Sequence, residues 1–185
     1  NTARPRLAST TIHHGSRSSR TIGVWFKVQD ASLSNHKQII YEEGGPNRGL
    51  NIYVHDSVLY VGVRNSTRRG WAGTYLSTDA VKSDTWHHVA LVLNAQAGSK
   101  QVQDEALVAY LDGSEFGRGQ GSRLQRHSGG IGIGGTNGRT RLHDGVSGKR
   151  QRHGLAGQIA DVRVYNRPLS GSEIAVLASD RTPSG

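Results

Sequence analysis

The sequence contains no cysteine, which removes disulfide frameworks, thiol nucleophiles and cysteine-ligated zinc from consideration. Proline is scarce, 4 in 185 residues against 25 glycines, a balance foreign to collagen and coiled coils and suited to many short strands joined by tight turns. No apolar run approaches the roughly 20 residues a membrane-crossing helix requires. The start, Asn1-Thr2-Ala3-Arg4, has neither a hydrophobic signal core nor an initiator methionine, as in a processed or excised chain. Acidic residues are missing where basic ones are dense: Arg118 to Arg152 holds eight Lys or Arg and one acid, Asp144, which is +7 of the total +9. Arg4, Arg6, Arg17 and Arg20 form a second acid-free block. Such a field attracts polyanions, whether glycan, nucleic acid, anionic membrane or acidic protein.

What is present reads as strands. In Thr21 to Val28, the residues Ile22, Val24, Phe26 and Val28 alternate with Gly23, Trp25 and Lys27. Gln38 to Tyr41 is a short strand, and Glu42-Glu43-Gly44-Gly45-Pro46-Asn47 has the composition of a turn. Leu50 to Val54 and Val58 to Val63 read as a hairpin about His55-Asp56-Ser57. Its core side is Leu50, Ile52, Val54, Leu59, Val61 and Val63; its other side is Asn51, Tyr53, His55, Tyr60, Gly62 and Arg64. Arg68-Arg69-Gly70-Trp71 to Tyr75 falls in a polar connection. Trp86 to Asn94, Ala106 to Asp112, the glycine-rich Gly129 to Gly135 and Gln158 to Tyr165 complete the strands, the last with Ala160, Val162 and Val164 inward. Thr136 to His153 is a long basic loop. Ser170 and Glu173 have capping-box spacing for a short helix through Ile174, Val176 and Leu177. Residues 21–178 form one domain, with residues 1–20 a basic N-terminal segment or first strand and 179–185 a tail.

Read in order, these segments resemble the laminin-G-like jelly rolls of the concanavalin A-like lectin and glucanase superfamily, from about Thr21 to Leu177. Gly154 to Ile174 (GLAGQIADVRVYNRPLSGSEI) is similar to that family's closing signature, supported by Thr85-Trp86-His87-His88-Val89-Ala90 and Ala109-Tyr110-Leu111-Asp112-Gly113. The resemblance implies an all-β fold, a two-sheet antiparallel jelly-roll sandwich with a short C-terminal helix, and makes Trp25, Trp86 and Tyr165 scaffold. Where many members have Ile-Asp-Glu, this chain has Ile159-Ala160-Asp161, so an acidic role at the middle position is lost. Some relatives bind calcium. Asp56, Asp112, Asp144 and Asp161 are isolated in the sequence and assemble no oxygen site, so calcium stays open and no cofactor is required.

Related glucanases carry alternating carboxylates on one strand, and this chain has no such triplet; Glu42 and Glu43 are adjacent and point to opposite faces of any strand. The doublets His13-His14 and His87-His88 cannot chelate one metal from a strand for the same reason. The expectation is a secreted or cell-surface, non-catalytic carbohydrate-binding module for an acidic polysaccharide, with possible parent-enzyme or surface-protein domains as partners. Its candidate ligand residues are Trp71, Tyr75, Arg68, Arg69, Tyr53, His55, Tyr60, Arg64, Arg139, Arg141 and His143: aromatic rings stack on sugars, and arginine forks onto carboxylate or sulfate. Trp71 is either such a platform or a cover for the sandwich edge. An extracellular adhesion domain and a polysaccharide lyase or hydrolase are the alternatives; nucleic-acid binding rests on charge alone.

Overall fold

The computed structural model describes residues 16–65, 71–99, 101–127, 129–147, 153–180 and 183. Twelve strands and one helix follow one another through them: β1 (Ser19–Val28), β2 (Gln38–Gly44), β3 (Arg48–His55), β4 (Val58–Asn65), β5 (Thr74–Thr78), β6 (His87–Asn94), β7 (Gln103–Leu111), β8 (Ser114–Gly121), β9 (Ile131–Ile133), β10 (Arg141–Leu142), β11 (Gly145–Val146), β12 (Gly157–Tyr165) and α1 (Gly171–Ser179). They build two five-stranded antiparallel sheets, ordered β12-β1-β6-β7-β8 and β5-β4-β3-β2-β9, with β10-β11 a separate small hairpin.

The alternation read in β1, β3 and β4 becomes the sandwich interior. Ile22, Val24, Phe26, Leu50, Ile52, Val54, Leu59 and Val61 are fully buried in one cluster between the sheets, which is why period-two sequences commit to this architecture. The β3–β4 turn is Asp56-Ser57, both with positive φ (51° and 66°), the geometry of a tight two-residue hairpin. Helix α1 begins at the expected capping box, Ser170 with Glu173. It covers the outer face of the β1 sheet, where Ile174 and Leu169 pack with Ala90, Val92 and Tyr110. Val176 faces solvent instead, 63% exposed.

Several expectations are corrected. Glu42, Glu43 and Gly44 lie inside β2 rather than in a turn, and both carboxylates are buried. The signal misleads because Glu is rare in buried strands; here Glu43 accepts from Arg20 and the Tyr41 hydroxyl, and Glu42 accepts from the Asn137 N–H. In β12 a bulge opposite Val24 breaks the alternation at Asp161 (φ 48°), so Ile159, Val162 and Val164 pack on the core while Ala160 pairs with Trp25. Tyr75 belongs to strand β5, not to a connection. The basic stretch 136–153 is not loop throughout, since it contains β10 and β11. The glycines near β9 do serve close packing: a Cβ on Gly129 would run into the Gly44 carbonyl.

Candidate functional site

The outer face of the second sheet collects most of the predicted residues. Strand β3 contributes Asn51, Tyr53 and His55, β4 contributes Tyr60, Gly62 and Arg64, and β5 contributes Tyr75, because cross-strand partners share a face: Tyr53 opposite Tyr60, Asn51 opposite Gly62, Gly62 opposite Tyr75. Gly62 leaves the hollow that the Tyr75 ring fills, since a Cβ there would stand 2.6 Å from that ring. Tyr53 and Tyr60 stack with centroids 5.1 Å apart.

The β10–β11 hairpin lies across this aromatic floor. The His143 imidazole is parallel to the Tyr60 ring, 4.1 Å away and 3° off plane. The Tyr53 hydroxyl accepts the His143 backbone N–H at 2.9 Å and shares a hydrogen bond with its Nδ1 at 2.8 Å. The Arg141 carbonyl accepts from Asn51 Nδ2 at 2.7 Å and from the Tyr75 hydroxyl at 3.0 Å. The chain thus lays its own imidazole over the aromatic face. Burial pushes the Tyr53 hydroxyl far up and the Tyr75 hydroxyl up to about 12, so both are neutral donors or acceptors. Burial also lowers His143, with the nearby Asp144 opposing.

At the end of this face next to the β2–β3 turn, positive charge is uncompensated. Arg64 gives an Nη1 hydrogen bond to the Ala72 carbonyl, and its buried Nε has no partner. Burial and then the neighbouring Arg141 guanidinium lower its basicity. Arg141 Nε reaches the Pro46 carbonyl at 3.4 Å, Arg139 Nε the Ser147 carbonyl at 3.4 Å, and Arg48 Nη1 the Arg126 carbonyl at 2.8 Å. Among the described residues none of Arg48, Arg64, Arg139 and Arg141 has a carboxylate within ion-pair reach.

Not every candidate joins this site. Trp71 packs against the sandwich core and donates from Nε1 to Thr74 Oγ1 at 3.2 Å, which is the edge-covering role. His55 does join it, at the end away from the arginines, with its ring 6.0 Å from that of His143 and its Nε2 donating to the Ser34 carbonyl. Arg68 and Arg69 lie outside the described residues. Four groups that sequence reasoning missed stand beside the hairpin: Lys37, Asp144, Ser147 and His153 line one cleft. Positions 37 and 144 are 107 apart in sequence, so no local pattern could join them, although Asp144 stood out as the one acid in a basic stretch. Glu42, 1% exposed, is held at about 7 chiefly by burial. No group of three or more His, Asp or Glu side chains among the described residues could hold a metal ion.

A family model described as the concanavalin A-like lectin/glucanases superfamily, of laminin G type, matches residues 5–175. The chain belongs to that superfamily. It is therefore a lectin-like jelly-roll domain of laminin G type. The search of curated proteins finds no match. Among solved structures, the heptameric SAP-like pentraxin of Limulus polyphemus is similar at 19% identity and TM-score 0.59, over 89% of this chain and 71% of that one. Domain 4 of AbnA, an extracellular arabinanase from Geobacillus stearothermophilus solved with arabinotriose, is similar at 16% identity and TM-score 0.58, over 89% of this chain and 68% of that one. The ligand binding domain of Botulinum neurotoxin serotype D, solved with N-acetylneuraminic acid, is similar at 12% identity and TM-score 0.59 over 89% of this chain. This chain spans 37% of that domain's length. These likenesses show the fold, and no helix among the described residues is long and apolar enough to cross a membrane.

Proposed function

We propose that this domain is a non-catalytic carbohydrate-binding module, acting outside the cell, that holds an acidic polysaccharide along the hairpin-covered face. The observation that carries the reading is the Arg64–Arg141 pair: two neighbouring guanidiniums beside the Tyr75 ring, with no carboxylate in ion-pair reach among the described residues. Like charges left together cost free energy unless an anion joins them, and a planar carboxylate or sulfate matches the guanidinium fork. The Tyr75 ring beside the pair supports this reading, since aromatic rings stack on sugars. Relatives of the same fold were solved with arabinotriose and with N-acetylneuraminic acid, a neutral and an acidic sugar.

Catalysis is disfavoured by where the acids are. Glu42 carries the raised pKa expected of a general acid, yet it is sealed beneath residues 137–140 and meets no solvent-borne substrate. Asp144 is ion-paired to Lys37.

The test is binding of uronic-acid and sulfated polysaccharides against neutral ones by calorimetry, at low and moderate salt. The expected outcome is a preference for the acidic glycans that fades with salt, since exposed charges are screened over about 10 Å at 0.1 M. Arg64→Ala and Arg141→Ala should each weaken binding by about tenfold or more, the worth of one charge-assisted hydrogen bond. Equal affinity for neutral and acidic polymers, or arginine variants that bind like the native chain, would overturn the acidic reading. Absence of any glycan binding would favour an adhesion domain.

A further inference from the structure

The cleft between the β10–β11 hairpin and the segment ahead of β2 has a chemistry unlike the arginine end. It encloses about 180 Å³, and its wall is polar. Lys37 Nζ donates to Asp144 Oδ2 at 2.5 Å. Lys37 also gives its backbone N–H to His153 Nδ1 at 3.3 Å, which fixes the imidazole proton on Nε2 and makes that nitrogen a donor. Burial, then Lys37 and His36, lower His153 so that it stays neutral. Ser147 Oγ accepts the Thr140 N–H at 3.0 Å, and its hydroxyl has a proton to give in turn. The Asp144 side chain is 48% exposed, and Lys37 holds its carboxyl below the usual range.

The ammonium and the carboxylate cancel, so this cleft offers no net charge to an anion. What it offers instead is an acceptor with open lone pairs facing three donors, all prearranged by bonds within the protein. A pair of adjacent hydroxyl groups meets that set: each hydroxyl donates to the carboxylate while its oxygen accepts from the ammonium, the imidazole N–H or the serine hydroxyl. Unsubstituted sugar rings present such pairs on their edges. The polar wall gives no platform for stacking, so the ring would enter edge-on. We propose that the Lys37–Asp144–Ser147–His153 cleft is a second subsite, taking a neutral sugar unit through two neighbouring hydroxyls.

The proposal rests on the glycan-binding reading and deepens it. The two subsites adjoin: Arg141 and Asp144 stand three positions apart in one hairpin, and Arg139 Nε reaches the Ser147 carbonyl at 3.4 Å. One polysaccharide chain lying along the hairpin would therefore set an acidic unit against Arg64 and Arg141 and a neutral unit beside it in the cleft. The ligand class becomes a glycan that mixes charged and uncharged units.

The experiment is titration of the ¹⁵N-labelled chain with arabinotriose, xylotriose and cellotriose, followed by amide shifts, beside calorimetry with the acidic polysaccharides. The expected result is that at least one neutral trisaccharide shifts the amides of Lys37, Asp144 and Ser147, with little sensitivity to salt. Asp144→Asn and Ser147→Ala should each weaken that binding, the first by about tenfold, while Arg167→Ala, beside the helix on the other sheet, leaves it unchanged. The amide spectrum of each variant reports whether the fold is kept. If acidic polysaccharide binds but no neutral trisaccharide moves these amides, the cleft proposal fails and the glycan reading survives. If the trisaccharides bind in the cleft while no acidic preference exists, the reverse holds. If Asp144→Asn binds the trisaccharide like the native chain, the cleft holds water only and the proposal is overturned.

Discussion

Glu42 faces Asn51 across the β2–β3 ladder, and its carboxyl is buried. A carboxylate taken out of water keeps its proton, and here burial raises Glu42 from 4.5 to about 7. The folded protein holds a proton that the unfolded chain releases above 4.5, so this group's contribution to stability is full below that value and falls as pH rises to about 7. The loss is at most roughly 3 kcal/mol, about 2.5 units at 1.36 kcal/mol each. Glu42→Gln keeps an acceptor for the Asn137 N–H without the titration. We predict that the melting-temperature difference, variant minus native, grows between pH 4.5 and 7 and is level outside that window. A constant difference across pH 4 to 8 would show that Glu42 does not titrate as its burial demands. His88 has the opposite sign, pushed down to about 4 by burial, and cancels in that difference because both proteins share it.

At the scale of elements, the β10–β11 hairpin is too short to stand alone. What holds it is the sheet beneath: the bonds from Asn51 and Tyr75 to the Arg141 carbonyl, the two between Tyr53 and His143, and the His143 stack on Tyr60. Tyr53→Phe keeps the ring and removes the hydroxyl that makes two of these contacts. The expected outcome is a local loosening, with amide exchange in residues 141–146 faster by about thirtyfold, from roughly 1 kcal/mol for each of the two hydrogen bonds. Strands β1, β6 and β7, which do not touch the hairpin, should keep their protection; uniform acceleration would mean that the hydroxyl supports the whole fold instead.

For the whole molecule, the joint between sheets includes one buried ion pair. Arg20 of β1 and Glu43 of β2, both 0% exposed, meet at 2.9 Å, and Tyr41 donates its hydroxyl to the other Glu43 oxygen at 2.7 Å. Removing one partner strands a charge inside, so Glu43→Ala should cost about 3–5 kcal/mol in urea unfolding, while Arg20→Met with Glu43→Leu should regain most of that loss. A double variant as unstable as the single one would show that the pair holds the sheets together through contacts an apolar replacement cannot copy. The same scale explains the charge balance. Arg118 with Glu115 and Arg167 with Glu173 are paired on the β1 sheet and its helix end, Lys37 with Asp144 beside the second sheet, and Arg48, Arg64, Arg139 and Arg141, without an acid in reach among the described residues, gather around that sheet's turn.

The sequence by itself determined the two-sheet sandwich, the inward set of β1, β3 and β4, the capping of α1 and the composition of the Asn51, Tyr53, Tyr60, Arg64 face. Each of these follows from a local period or a fixed spacing, and buried apolar residues at alternate positions leave one choice of face. Strands β5 and β8 were illegible because TYLST and SEFGRGQG lack that alternation and pair only because their neighbours offer open edges. Glu42 and Glu43 read as turn residues, since nothing local announces a buried Arg20 23 positions away. Only the tertiary structure decided that the aromatic face is roofed by its own hairpin, that Trp71 serves the core, and that Lys37, Asp144, Ser147 and His153 share one cleft. The physical reason is that hydrophobic period is written within a strand, whereas these contacts are settled between segments remote in the chain, as for Arg20 and Glu43 at a separation of 23 and Tyr53 and His143 at 90.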